Sequence, residues 1–225
     1  MLMMHHPLEG KKEADIKAFD LPAMNKIYGK EPVFIFDPQD NSNRPVAGYQ
    51  DNALIYWPLY PAFLQDLFIR AFVDGVRSPD RRVRESEWRG ALIRLRDSIV
   101  YCGHCKAENF YDAAKGSQPV CWACKKPVTV PVGIRIGSSV VMLNAQTSLY
   151  PHHLDSTRPY DFSTPWAVVQ QHPQNPNLWG LKNLTASPWQ VVTPDGRPAV
   201  AEPQRSVSLA KGTRIQFGMA EGEIC

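Results

Sequence analysis

The chain has 225 residues, 44% apolar and 21% charged, with a formal net charge of +3. That length accommodates one large domain or two to three small ones, and the composition is that of a globular protein, which excludes a disordered or fibrous chain. The charge is too small and too dispersed to mark a nucleic-acid partner. The one short basic cluster, Arg77–Arg84, contains Asp80 and is followed by Glu85, the pattern of a solvated face. No apolar run approaches the roughly 18 residues of a membrane span. The opening Met1-Leu-Met-Met-His-His-Pro7 lacks the basic region and long apolar core of a signal peptide.

In chain order, three segments differ in texture, and the expected class is multi-domain α+β. Residues 1–99 read as helices joined by proline-rich loops. Between Tyr28 and Gly48 the phrases Lys30-Glu-Pro, Asp37-Pro and Asn43-Arg-Pro45 mark turns around the short apolar run Val33–Phe36. From Trp57 to Gly75, residues Leu59, Phe63, Leu64, Leu67, Phe68, Ala71 and Phe72 recur at helical spacing. Pro58 and Pro61 suit a first turn there, and Gly75 suits an end. A second helix is predicted over Ser86–Val100, with Trp88, Leu92, Leu95 and Ile99 as its stripe. Residues 100–127 form a cysteine segment. Residues 128–225 read as all-β: Val128–Ile136, Val140–Asn144, Ala167–Gln171, Trp189–Thr193, Ser206–Leu209 and Thr213–Phe217 are short β-rich runs. Turns such as Thr193-Pro-Asp-Gly196 and Lys211-Gly212 separate them, as in a small sandwich or barrel.

The cysteine segment carries the strongest chemical signal. Cys102, Cys105, Cys121 and Cys124 have the spacing C-x2-C-x15-C-x2-C of a zinc ribbon. Two intervening residues let a tight turn aim both sulfurs at one ion while its amides hydrogen-bond to the thiolates. A second turn completes a tetrahedron of four thiolates, each about 2.3 Å from Zn2+, and leaves no open position for catalysis. Such binding supplies on the order of 10 kcal/mol of folding free energy in small modules. His104, between the first two ligands, is expected to face solvent. Tyr111 and Trp122 are expected to flank the turns, and Cys225 has no assigned role. Paired cysteines of this kind belong to a reducing compartment, so the expected location is the cytoplasm, and the sequon Asn183-Leu-Thr185 is then accidental.

Residues 1–99 resemble the end of a protein kinase C-lobe. The likeness rests on His6-Pro7-Leu-Glu-Gly10, on Ala71-Phe-x-x-Gly75 before Ser78-Pro-Asp-Arg-Arg82, and on Arg82-Val-Arg-Glu-Ser-Glu-Trp88 opening an amphipathic helix. The resemblance implies that Arg82 stands where the family keeps an arginine paired with the glutamate of its Ala-Pro-Glu motif, with Val83 replacing the usual proline, and that Trp88 opens the last helix. More narrowly, the whole chain is similar to the C-terminal part of bacterial serine/threonine kinase-like proteins that carry a cysteine ribbon and a β domain. Phe34-Ile-Phe-Asp-Pro38, Asn43-Arg-Pro45 and Glu108-Asn-Phe-Tyr-Asp112 carry that likeness. The sequence has no glycine-rich phosphate loop, no V-A-I-K lysine, no HRD and no DFG. Asp161-Phe162-Ser163 imitates the last but lies in the wrong order, downstream of the cysteines. Catalysis, with ATP and Mg2+, is therefore expected only in a full-length kinase. Without the central helix of such a lobe, the apolar faces at 57–75 and 86–100 are expected to lack a partner.

Gly180-Leu-Lys-Asn-Leu-Thr185, Trp189, Asp195-Gly196, Val207-Ser-Leu209, Gly212 and Ile215-Gln-Phe-Gly218 resemble the second half of a forkhead-associated domain. The resemblance implies a β-sandwich whose loops read phosphothreonine through a Gly-Arg pair and a Ser-x-x-His motif. Neither is found at its place: His152-His153 falls near the Gly-Arg position, and Ser148 lies four residues before His152, not three. His152, His153 and Asn183 remain possible interaction residues. With His172 the histidines could also suggest a metal, although ordinary loop histidines explain them.

Two functions follow as expectations. One is the C-terminal portion of a kinase-like signalling protein, partnered by an upstream kinase portion. The other is a non-catalytic adaptor whose ribbon and β domain dock a separate protein. A nucleic-acid-binding ribbon is disfavoured, because Lys106, Lys115, Lys125 and Lys126 form no stripe with aromatic residues.

Overall fold

The computed structural model describes residues 3–18, 20–112 and 118–225, so Lys115 lies outside the described residues. The fold is mixed α+β, in two compact units, Met1–Leu95 and Arg96–Cys225.

The first unit is helical. Short helices α1 (Lys11–Ala14) and α2 (Leu21–Met24) come first, and α2 is capped by Asp20, whose carboxylate accepts the Ala23 amide at 3.0 Å. Then come α3 (Asp51–Tyr56), α4 (Ala62–Ile69), α5 (Gly75–Arg77) and α6 (Glu85–Asp97). The predicted helix from Trp57 to Gly75 is broken near its start. Trp57–Leu59 make one tight turn, and Tyr60 is extended at ψ 141° because Pro61 disfavours a helical residue before it. From Ala62 the chain stays helical through a wider π turn, Arg70–Asp74, and on to Arg77, so Gly75 lies within the helix and does not end it. A Cβ at Gly75 would meet the Arg82 Cα at 3.2 Å, so glycine admits the returning chain. The second predicted helix ends at Asp97, and Ile99 is already in a strand.

The loop from Glu31 to Gln50 is ordered by buried polar side chains. Asn43 donates to the Leu8 carbonyl at 2.9 Å and the Val33 carbonyl at 2.7 Å, and accepts the Lys12 amide at 2.9 Å. A Cβ at Gly10 would fall 2.0 Å from the Asn43 carbonyl oxygen, so only glycine fits there. Arg44 donates to the Asp37 carbonyl at 2.7 Å.

For the helical run at 57–75 this loop corrects the expectation of a missing partner, because its apolar run supplies one, whereas Leu92 in the stripe of α6 is 42% exposed. Phe34, fully buried, stacks on Phe72 at 5.7 Å and meets Trp57 edge-on at 5.5 Å, and Phe36 stacks on Trp57 at 4.7 Å. Phe68 meets Trp88 at 5.0 Å, which joins α4 to α6. Leu21, Tyr49 and Ile55 remain exposed.

In the second unit, β1 (Ile99–Tyr101) and β2 (Glu108–Phe110) form a hairpin around the first cysteine pair, and a bridge between Val120 and Pro127 brackets the second. There follow β3 (Gly133–Ile136), β4 (Ser139–Met142), β5 (Ser148–Leu149), the short helix α7 (Pro151–Leu154), β6 (Ala167–His172) and β7 (Asn175–Asn183). The chain ends with β8 (Trp189–Val192), β9 (Pro198–Ala201), β10 (Ser206–Ser208), β11 (Arg214–Gln216) and β12 (Glu221–Ile224). Among the described residues, these make a six-stranded sheet of order β4-β3-β12-β11-β8-β9 and a four-stranded sheet of order β10-β7-β6-β5, with every pairing antiparallel.

The two sheets share one core. Ile134, Trp189, Val191, Ile215 and Ile224 come from the larger sheet, and Leu149, Ala167, Val169, Leu181 and Val207 from the smaller. Alternation sets the inner face: Trp189 and Val191 are buried on either side of exposed Gln190, and Ile215 lies opposite Val191 in register. The predicted runs fall on β3, β4, β6, β8, β10 and β11, with Val128–Val132 remaining outside any strand. The turns at Thr193–Gly196 and Lys211-Gly212 place Gly196 at φ 82° and Gly212 at φ 85°.

Candidate metal centre

The ribbon is two copies of one turn. In the first, the Lys106 amide donates to the Cys102 carbonyl at 3.0 Å and the Cys102 amide to the Ala107 carbonyl at 2.9 Å. In the second, Lys125 donates to Cys121 at 2.9 Å and Cys121 to Lys126 at 2.8 Å. Lys106 and Lys125 hold matching left-handed conformations, φ 64° and 59°. Each lysine ammonium reaches back to a carbonyl of its own turn, Gly103 at 3.3 Å and Trp122 at 2.6 Å.

The turns bring all four Sγ atoms within 4.8 Å of one another, with Cys102 to Cys124 and Cys105 to Cys121 each at 3.6 Å. Four sulfurs about 2.3 Å from a central ion at the corners of a regular tetrahedron are about 3.8 Å apart. The cluster therefore fits one thiophilic divalent ion, and the protein supplies all four ligands. Among the described residues it is the one group of three or more histidine, cysteine or acidic side chains placed to hold a metal.

The electrostatics agree with that use. The amides of Cys105 and His104 donate to the Cys102 sulfur and hold its pKa below the ordinary thiol value. Burial would raise Cys121, but the amides of Cys124 and Ala123, with Cys105 and Asn109, bring it down to about 6. The Ala107 amide lowers Cys105, yet burial and the other sulfurs outweigh it and push this thiol up to about 11. Four sulfurs this close cannot all ionise unaided, and a divalent ion removes that obstacle by deprotonating each thiol it coordinates.

A small core, Val100, Cys102, Cys121, Val128 and Met142, seats the ribbon on β4. Tyr111 packs against it, His104 is exposed and Trp122 is half-buried. Asn144, just after β4, donates to the Ile99 carbonyl of β1 at 2.8 Å. Asn109, to which the sequence alone assigns no role at the site, is buried between the two turns and hydrogen-bonds to both. Only its lodging between the cysteine pairs could have hinted at that role.

The remaining sequence candidates are dispersed. Arg82 is exposed, and its Nε donates to the Gly75 carbonyl at 3.3 Å. Trp88 belongs to the aromatic cluster of its unit. His153 does not face a ligand: its side chain is 4% exposed, its Nδ1 accepts the Tyr150 amide at 2.9 Å, and its Nε2 lies 3.4 Å from Asp97. His152 accepts the Tyr160 amide at 2.9 Å, and burial together with His153 holds its pKa below the ordinary histidine value.

Asn183 is fully buried and wholly engaged. It donates to the Ser187 and Ala201 carbonyls at 2.9 and 3.0 Å and accepts from Thr185, so it anchors a loop and presents nothing to a partner or a glycosyl transferase in the folded chain. Asp161 accepts from Ser163 at 3.0 Å and pairs with Arg158, an ordinary loop turn.

Compared with known proteins, the chain matches no family model, no curated protein and no solved structure. No helix among the described residues is long and apolar enough to cross a membrane.

Proposed function

We propose that the ribbon holds a structural Zn2+, and that the chain is the C-terminal portion of a serine/threonine kinase-like signalling protein. In this reading it supplies a lower C-lobe segment, the ribbon and an interaction module of forkhead-associated type. The observation that carries the reading is the four-sulfur cluster at tetrahedral spacing. It uses every coordination position for protein ligands, so the ion organises structure and performs no chemistry.

The kinase assignment rests on the resemblance of His6–Gly10 and Arg82–Trp88, and the β module on that of Gly180–Gly218. The absence of phosphate-loop, HRD and DFG motifs makes the chain inactive by itself, with ATP and Mg2+ bound upstream. The two Cys-x-x-Cys pairs, all four thiols free, suit a reducing compartment such as the cytoplasm.

The adaptor reading has one observation of its own. Trp179, on β7, is 38% exposed, and tryptophan is among the residue types that most often anchor protein partners. Co-expression with the segment encoded immediately upstream separates the two. Co-purification of that segment together with ATP-dependent phosphotransfer is expected. Phosphotransfer by the 225-residue chain alone overturns the reading, and an upstream segment that neither binds nor transfers phosphate leaves the adaptor.

A further inference from the structure

We infer that Asn109 is a positioning residue for the metal, setting how firmly the ion is held by fixing the two cysteine turns against each other. The inference rests on the metal reading above. Asn109 is 7% exposed, at the centre of β2, and is no ligand itself.

Its carboxamide touches both turns. Nδ2 donates to the Ala107 carbonyl at 2.9 Å, the same oxygen that accepts the Cys102 amide and closes the first turn. Nδ2 also lies 3.8 Å from the Cys121 sulfur, toward which it points a hydrogen. Oδ1 accepts the Trp122 amide at 3.2 Å, at the start of the second turn. A second tie runs the same way, since the Trp122 indole N–H donates to the Glu108 carbonyl at 2.8 Å.

The two cysteine pairs are separated by 15 residues of chain, and the Val120–Pro127 bridge closes the second turn on itself without reaching the first. One planar amide therefore does two things. It holds the sulfurs of different turns near their bound spacing before the ion arrives, which reduces the ordering required on binding. It also donates to a thiolate, which stabilises the charge that the ligand carries when metal is bound. Groups that orient ligands in this way alter metal affinity by about 10–100-fold when replaced.

The test replaces Asn109 in the full chain. Asn109→Asp is nearly isosteric and keeps an acceptor for Trp122, but presents an anionic oxygen to Cys121 and Ala107 in place of the N–H. Asn109→Ala removes the contacts without adding charge. Asn183→Ala is the comparison, because it deletes another buried amide, far along the chain from the ribbon. Each protein is loaded with Zn2+, and transfer to a chromogenic chelator is followed for rate and equilibrium. Co2+-loaded samples report tetrahedral thiolate ligation by absorption.

Expected are a roughly 10–100-fold loss of affinity in both Asn109 variants, larger for Asp, a shifted thiolate-to-Co2+ band, and wild-type zinc affinity in Asn183→Ala. Asn109 variants that bind and release zinc as wild type does overturn the inference while leaving the metal reading intact. So does an Asn109 variant that loses its tertiary circular dichroism with stoichiometric zinc still bound, since the amide then serves packing alone. A wild-type chain that binds no metal removes the reading on which the inference rests.

Discussion

Around the cysteines, five buried residues among those described form the core, and two of them are ligands. Between the sheets, fifteen do. Only three members of the core around the cysteines, Val100, Val128 and Met142, are apolar side chains that bind no metal in the proposed site, so the ribbon has a small interior. The sheets have Trp189, Ile215, Leu181 and their neighbours, interlocked by register. One compact unit thus contains two solutions to the same problem. On the proposed metal reading the ribbon concentrates its stability in one ion, whereas the sheets distribute theirs over a packed interior.

The largest expected effect breaks the ribbon and spares the sheets. Cys121→Ser, or a strong chelator on wild type, removes binding free energy on the order of 10 kcal/mol. Amide hydrogen exchange should then speed up over β1, β2 and the cysteine turns while β8 and β11 stay protected. Loss of protection in both regions at once would show that the sheets depend on the ion.

The reverse cut is smaller. Leu181→Ala or Ile215→Ala, at fully buried positions, should destabilise the sheets by about 2–5 kcal/mol in denaturant melts, with zinc content unchanged at stoichiometric loading. Next come the left-handed lysines. Lys106→Val or Lys125→Val forces a β-branched residue into φ 64° or 59° and should cost about 1–2 kcal/mol of zinc-loaded stability, whereas glycine at either place should be tolerated.

The finest test is a proton count. Cys105, pushed up to about 11, still holds its proton at pH 7.5 without metal, so zinc binding there must release at least one. Apparent affinity should rise with pH across the interval above the Cys121 value of about 6 and level off beyond Cys105. Calorimetry in buffers of different ionisation enthalpy reads the number released.

These two regions were also unequally legible. The ribbon could be read from spacing, because Cys-x-x-Cys encodes a local turn and its chemistry together. Trp189, Val191 and Ile215 could be read from alternation. β7 could not, since Pro176 and Gly180 interrupt its pattern, and a Cβ at Gly180 would meet the Ser206 Cβ at 2.9 Å on the neighbouring strand. β12, Glu221-Gly-Glu-Ile224, is half charged and is a strand because it lies between β3 and β11. Asn183 gains its role from the Ala201 carbonyl, eighteen residues away, and Asn109 from the Trp122 amide, thirteen away, and only the folded chain brings either near. The partner for the helical run at 57–75 was hidden for the same reason. Phe34 and Phe36 sit in what reads as a loop, and Asn43 and Gly10 hold that loop in place.

X-ray absorption at the zinc edge, on tag-free protein purified without added metal, tests the central claim most directly. The account predicts one zinc per chain, surrounded by four sulfurs at about 2.3 Å with no nitrogen or oxygen neighbour. Substoichiometric metal, or a shell containing a histidine or water ligand, would contradict it.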